Sequence, residues 1–131
     1  MSVLPALLLL AASSDILGTW RGTSTCADLK RAPACKDEVV IYDFRPSTET
    51  KGAVTLDAKK VVDGAAVPMG NLDLTLDPGT SRWSGEFQNS RVHVVWSYQV
   101  NGDAMTGTCE EFSSKAVLRR VAVKREGPAL K

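Results

Sequence analysis

Short runs of alternating apolar and polar residues fill most of this chain. Leu72, Leu74 and Leu76 alternate with Asn71, Asp73 and Thr75. Trp83, Gly85 and Phe87 alternate with Arg82, Ser84 and Glu86. Further on, Val92, Val94, Trp96, Tyr98 and Val100 share one face, and His93, Val95, Ser97 and Gln99 share the other. A period of two marks a half-buried β-strand, because successive side chains point to opposite faces of a sheet. Turn residues punctuate these runs at nearly even spacing: Asp63-Gly64, Asp77-Pro78-Gly79, Asn89-Ser90, Asn101-Gly102 and Ser113-Ser114. Asn-Gly and Asp-Gly pairs can take positive φ at both central positions, which matches the twist of a β-hairpin. Repetition of that signal predicts an antiparallel meander.

Eight strands are predicted: Ile16–Thr25, Glu38–Arg45, Gly52–Val62, Ala65–Leu76, Ser81–Gln88, Arg91–Val100, Asp103–Glu111 and Lys115–Arg125. Their apolar faces need cover, and no helix is predicted to supply it. A meander in this position closes on itself. The expected fold is therefore all-β, an eight-stranded antiparallel up-and-down β-barrel. Eight strands enclose an interior that side chains can fill or that holds one small ligand.

Register refines that interior. A two-residue turn at Asn89-Ser90 sets Phe87 opposite Val92, Gly85 opposite Val94 and Trp83 opposite Trp96. Trp20, near the start of the first strand, joins Trp83 and Trp96 at one end. Three indoles there read as a plug or as a ligand cage, and their volume favours the plug. The walls of any pocket above them would include Leu72, Gly85, Phe87 and Val94. The longest connection, Cys26 to Asp37, lies over the opposite end. It carries Lys30, Arg31 and Lys36, and long loops on rigid scaffolds often bind partners.

A chain of 131 residues makes one domain, here residues 15–131. The net charge of +1 calls for neither nucleic acid nor an anionic membrane. The basic stretch from Lys115 to Lys131 reads as a solvated strand face and tail. Residues 1–14 hold the apolar run Val3–Ala12 followed by Ser13-Ser14. This resembles a secretory signal peptide, though without a basic residue ahead of the run. It is too short for a membrane span. An extracytoplasmic location, periplasmic or secreted, follows. Cys26, Cys35 and Cys109 allow one disulfide. Cys26–Cys35 is the simplest bridge, and a bridge from Cys109 to either is the alternative.

No catalytic constellation is visible. His93 is the single histidine and falls on an outer face. Asp37-Glu38 and Glu110-Glu111 read as solvated acids at strand ends. No metal site, cofactor motif or phosphate-cradling loop is expected, and the chain reads as a non-enzyme.

Gly18-Thr19-Trp20 resembles the Gly-x-Trp signature of lipocalins and related calycins. The segment Asn101–Thr108 looks like the penultimate strand of bacterial lipocalin-like domains. The resemblance implies a Trp at the closed end of the barrel, covered by a basic residue from the last strand. Pairing the last strand with the first puts Arg125 nearest Trp20, with Arg119 the second candidate. It also implies a small apolar ligand held in the barrel. The alternative is a protein-interaction or protease-inhibitor module with a solid core, acting through the Cys26–Asp37 loop.

Overall fold

The structure, a computed structural model, describes residues 15–126. The leader expected at residues 1–14 lies outside them. Eight strands follow in order: β1 (Gly18–Cys26), β2 (Glu38–Pro46), β3 (Val54–Val62), β4 (Ala65–Asp77), β5 (Arg82–Gln88), β6 (His93–Asn101), β7 (Ala104–Glu111) and β8 (Val117–Arg125). Each pairs antiparallel with its neighbours, and β8 returns to β1 to close the barrel. The shape is compatible with calycin-type barrels in general. Every strand starts and ends within two residues of its expected bounds.

The turns explain where the expected register holds and where it fails. Asp63 and Gly64 both have positive φ, at 51° and 80°, and join Val62 to Ala65 as expected. At the next Gly-containing pair the turn falls one residue later. Asn101 pairs with Ala104, and Gly102, at φ 65°, opens the loop. A glycine in first position suits a type II′ hairpin.

The Asn89-Ser90 turn is corrected more deeply. Four residues, Asn89–Val92, form the loop, so Gln88 faces His93. The Asn89 side-chain oxygen accepts bonds from the N–H groups of Arg91 (2.8 Å) and Val92 (2.9 Å). The Asn89 N–H in turn donates to the Val92 carbonyl at 2.9 Å. The β5–β6 register therefore slides by two: Phe87 faces Val94, Gly85 faces Trp96, and Trp83 faces Tyr98. An even slip keeps every side chain on its expected face. It does abolish the Trp83–Trp96 pair.

The floor changes accordingly. Trp20 is wholly buried, and its indole N–H donates to the Ile16 carbonyl at 3.0 Å. Arg125 pairs with Trp20 across β8–β1, its guanidinium 4.3 Å from the indole ring centre. That guanidinium also donates to the Leu17 carbonyl (2.8 Å) and to the Asp103 carboxylate (3.1 Å). Stacking and hydrogen bonds together hold the start of the chain across the barrel end. Trp83 is buried, but its partner is Tyr98, which packs edge-on against Tyr42 and Phe44 at 5.9 and 5.8 Å. Trp96 is only half-buried and stands nearer the mouth.

Two seams on opposite sides of the barrel differ. Seven residue pairs join β1 to β8, and three join β4 to β5. In β4, Gly70 faces Ala58 but Pro68 faces Lys59, so Met69 is an extra, bulged residue. Gly70 has a φ of 127°, which suits glycine. At Gly85, a Cβ would lie 2.5 Å from the Asp73 carbonyl oxygen, so β4 and β5 touch there. Beyond that point no ladder joins them.

Candidate functional site

Above the floor lies a cavity of about 580 Å³. Tyr42, Leu56 and Ala58 form one wall, and Val94, Trp96 and Tyr98 another. Ala32–Cys35 roof it. On the β4–β5 side, Met69, Leu72, Phe87 and Val92 line it. Phe87 is 43% exposed, Met69 42% and Val92 42%, so the cavity reaches the surface past the end of the β4–β5 ladder, beside the Asn89–Val92 loop.

The roof is a tied loop. Cys26 and Cys35 are disulfide-bonded. The Ala27 N–H donates to the Leu118 carbonyl at 2.9 Å, and the Cys26 N–H to the Asp37 carboxylate at 2.8 Å. Arg31 reaches Glu111 at 3.1 Å, anchoring the loop to the end of β7.

One corner of the cavity is polar. It sits at the β8–β1 seam, across the barrel from the β4–β5 gap. Arg119 donates through Nη1 to the Ser24 hydroxyl (3.1 Å) and carbonyl (3.3 Å), and through Nη2 to the Lys36 carbonyl (2.9 Å). Glu38 stands 3.6 Å from Arg119 and 3.7 Å from Lys60. Burial pushes the Tyr42 hydroxyl up to about 12, and the charge of Glu38 adds to the rise. Burial likewise raises Tyr98, with Tyr42 adding to it. Cys109 is a free, buried thiol on the same wall; burial pushes it up to about 12 against the opposing charge of Arg119. All three side chains are neutral at physiological pH.

Among the residues expected to line a pocket, Leu72, Phe87 and Val94 do so. Gly85 does not. Its missing side chain lets Asp73 and the Leu72 and Leu74 methyl groups close in. Trp96, expected in the floor, is instead a cavity wall. Arg119 faces the same space, as its alternation with Leu118 and Arg120 allows. The side opening was missed because alternation runs unbroken where β4 and β5 part; Pro68 and Gly70 mark only the bulge against β3.

Other candidates for chemistry lie elsewhere. His93 is on the outer face, 2.9 Å from Glu86 and stacked on Phe112 at 4.0 Å. Asp37 holds the Cys26 N–H, and Glu111 is shared by Arg31 and Ser114. Among the described residues, no group of three His, Cys, Asp or Glu side chains could hold a metal ion. No described helix is long and apolar enough to cross a membrane. No protein-family model, curated protein or solved structure matches the chain.

Proposed function

We propose that this barrel binds a small apolar ligand, in the manner of lipocalin-like proteins, and works outside the cytoplasm as a carrier or binding module. The cavity carries the reading. Its volume of about 580 Å³ falls within the range of roughly 300–1,000 Å³ usual for small-molecule sites. It is apolar on most sides, with a few polar groups gathered in one corner. A solid-core inhibitor module has no use for such a space. The Cys26–Cys35 disulfide supports an oxidising compartment, as does the signal-like run at Val3–Ala12. Arg119 is paired with Glu38 and Cys109 is neutral, an arrangement suited to holding a ligand.

The test combines native mass spectrometry of protein purified without detergent with displacement of an apolar fluorescent probe. A co-purified lipophilic mass, or a probe bound with a micromolar Kd, is the expected result. Ala58→Trp, which fills the cavity from β3, should abolish probe binding while the circular dichroism spectrum stays that of the parent. A parent protein that carries no mass and binds no probe overturns the proposal.

A further inference from the structure

We propose that the gap between β4 and β5 is the ligand's way in, and that the ligand is a single-chain amphiphile bound head-first with its tail left in that gap. The proposal rests on the binding function above and adds an entrance, an orientation and a ligand class.

Three observations carry it. The first is the seam. The β4–β5 ladder stops after three pairs, whereas β5 remains paired with β6 as far as Gln88. The opening is therefore a property of one seam and not a general fraying of β5. The parted stretch is short: carried on in register, Phe87 would face Leu72 and Gln88 would face Asn71, so β5 ends just before it reaches the bulge that Met69 makes against β3.

The second is the chemistry of the rim. Phe87 and Val92 on one bank and Met69 on the other are each about two-fifths exposed and each line the cavity. Large apolar side chains in that position are the contacts an alkyl tail would use, since its own burial and theirs would coincide. The roof, by contrast, is stapled and tied at Leu118 and Glu111. A ligand passing there would have to break those bonds.

The third is the far corner. Arg119 has five N–H donors. Its Nη1 donates to the Ser24 hydroxyl and carbonyl and stands 3.6 Å from Glu38, and its Nη2 donates to the Lys36 carbonyl. No bond from Nε to a described residue accompanies them, so donor capacity is left over. Arg119 lines the cavity at the seam opposite the gap. An oxygen acceptor on a ligand head (a carboxylate or an alcohol) would complete the set. The head is thus drawn to β8–β1, and the tail points back toward β4–β5.

The experiment measures Kd for palmitic acid, octanoic acid and their alcohols by tryptophan fluorescence, since Trp96 lines the cavity. The parent should bind palmitate more tightly than octanoate. Phe87→Lys, and independently Met69→Lys on the opposite bank, should weaken palmitate at least about tenfold more than octanoate. Arg119→Met should weaken both chain lengths alike, and comparison of acids with alcohols identifies the head. Denaturation midpoints within a few degrees of the parent establish that the variants fold. Equal losses for both chain lengths, or none, in the two lysine variants overturn this inference and leave the binding function standing. A parent that binds none of the four compounds overturns both.

Discussion

The β8–β1 seam and the β4–β5 seam begin alike and end differently. Each contains a glycine where two backbones come together: Gly22, whose Cβ would run into the Ala122 carbonyl, and Gly85 against Asp73. After Gly22 the ladder runs on to Cys26. Arginines bond across it at both ends, Arg125 to the Leu17 carbonyl and Arg119 to Ser24. At Gly85 the β4–β5 ladder has already ended, its last pair being Thr75 with Ser84. Among the described residues no side-chain hydrogen bond clamps that edge. A glycine allows strands to approach, but the approach alone does not make a ladder. One seam is bonded along its length, and the other is the way in proposed above.

Substitutions test that contrast directly. The largest loss should come at the floor of the closed seam. Trp20→Ala removes a wholly buried indole, its hydrogen bond to Ile16 and its contact with Arg125. About 3–5 kcal/mol of stability should disappear in urea denaturation. A loss under about 1 kcal/mol would show that the seam does not rest on this residue.

Next in size is the roof. Replacing Cys26 and Cys35 together by Ser removes a short covalent loop and should cost about 2–3 kcal/mol. The comparison sharpens if apolar probe binding survives, because the way in would then not depend on the roof.

Titration addresses the cavity between the seams. Cys109 and Tyr42 are raised from their ordinary 9.0 and 10.0 to about 12. The folded chain thus keeps protons that the unfolded chain releases. Stability should be intact below about pH 9 and fall as pH climbs toward 12. Tyr42→Phe and Cys109→Ala should each flatten that decline in pH-dependent urea melts. An unchanged slope in both would mean that these groups are wetter than their burial indicates.

The smallest effect belongs to the open seam. Phe87→Ser should change stability by no more than about 0.5–1 kcal/mol, since the side chain is already partly exposed. A loss matching that of Trp20→Ala would erase the distinction between the two sides.

Much of this architecture could be read from alternation. All eight strands and the faces of β4, β5 and β6 followed from a period of two; the stacking of Arg125 on Trp20 was implied by the Gly-x-Trp resemblance, with the pairing of the last strand and the first choosing the residue. Loop length did not follow. Asn89-Ser90 has the chemistry of a two-residue turn, yet the Asn89 side chain reaches forward to bond Arg91 and Val92, making a four-residue loop. That moved Trp96 from the floor to the wall and put Tyr98 in its place. The cavity followed from that shift. The side opening was harder still to read. Alternation records which way a side chain points but not how far its strand lies from the next, and it runs unbroken through Asn71–Leu74 and Gly85–Gln88, where β4 and β5 part.

Cys109 has a consequence for how the chain matures. In the unfolded state three thiols compete, and the bridge can form between any two. In the closed barrel, Cys109 lies in the row Trp96–Cys109–Arg119–Cys26 running through β6, β7, β8 and β1, two strands from the bridge itself. With its thiol raised to about 12, the thiolate is roughly 10⁵-fold scarcer than the thiol at pH 7. Exchange requires a thiolate. Burial of Cys109 in the closed barrel thus shields the Cys26–Cys35 bridge from exchange with the third cysteine.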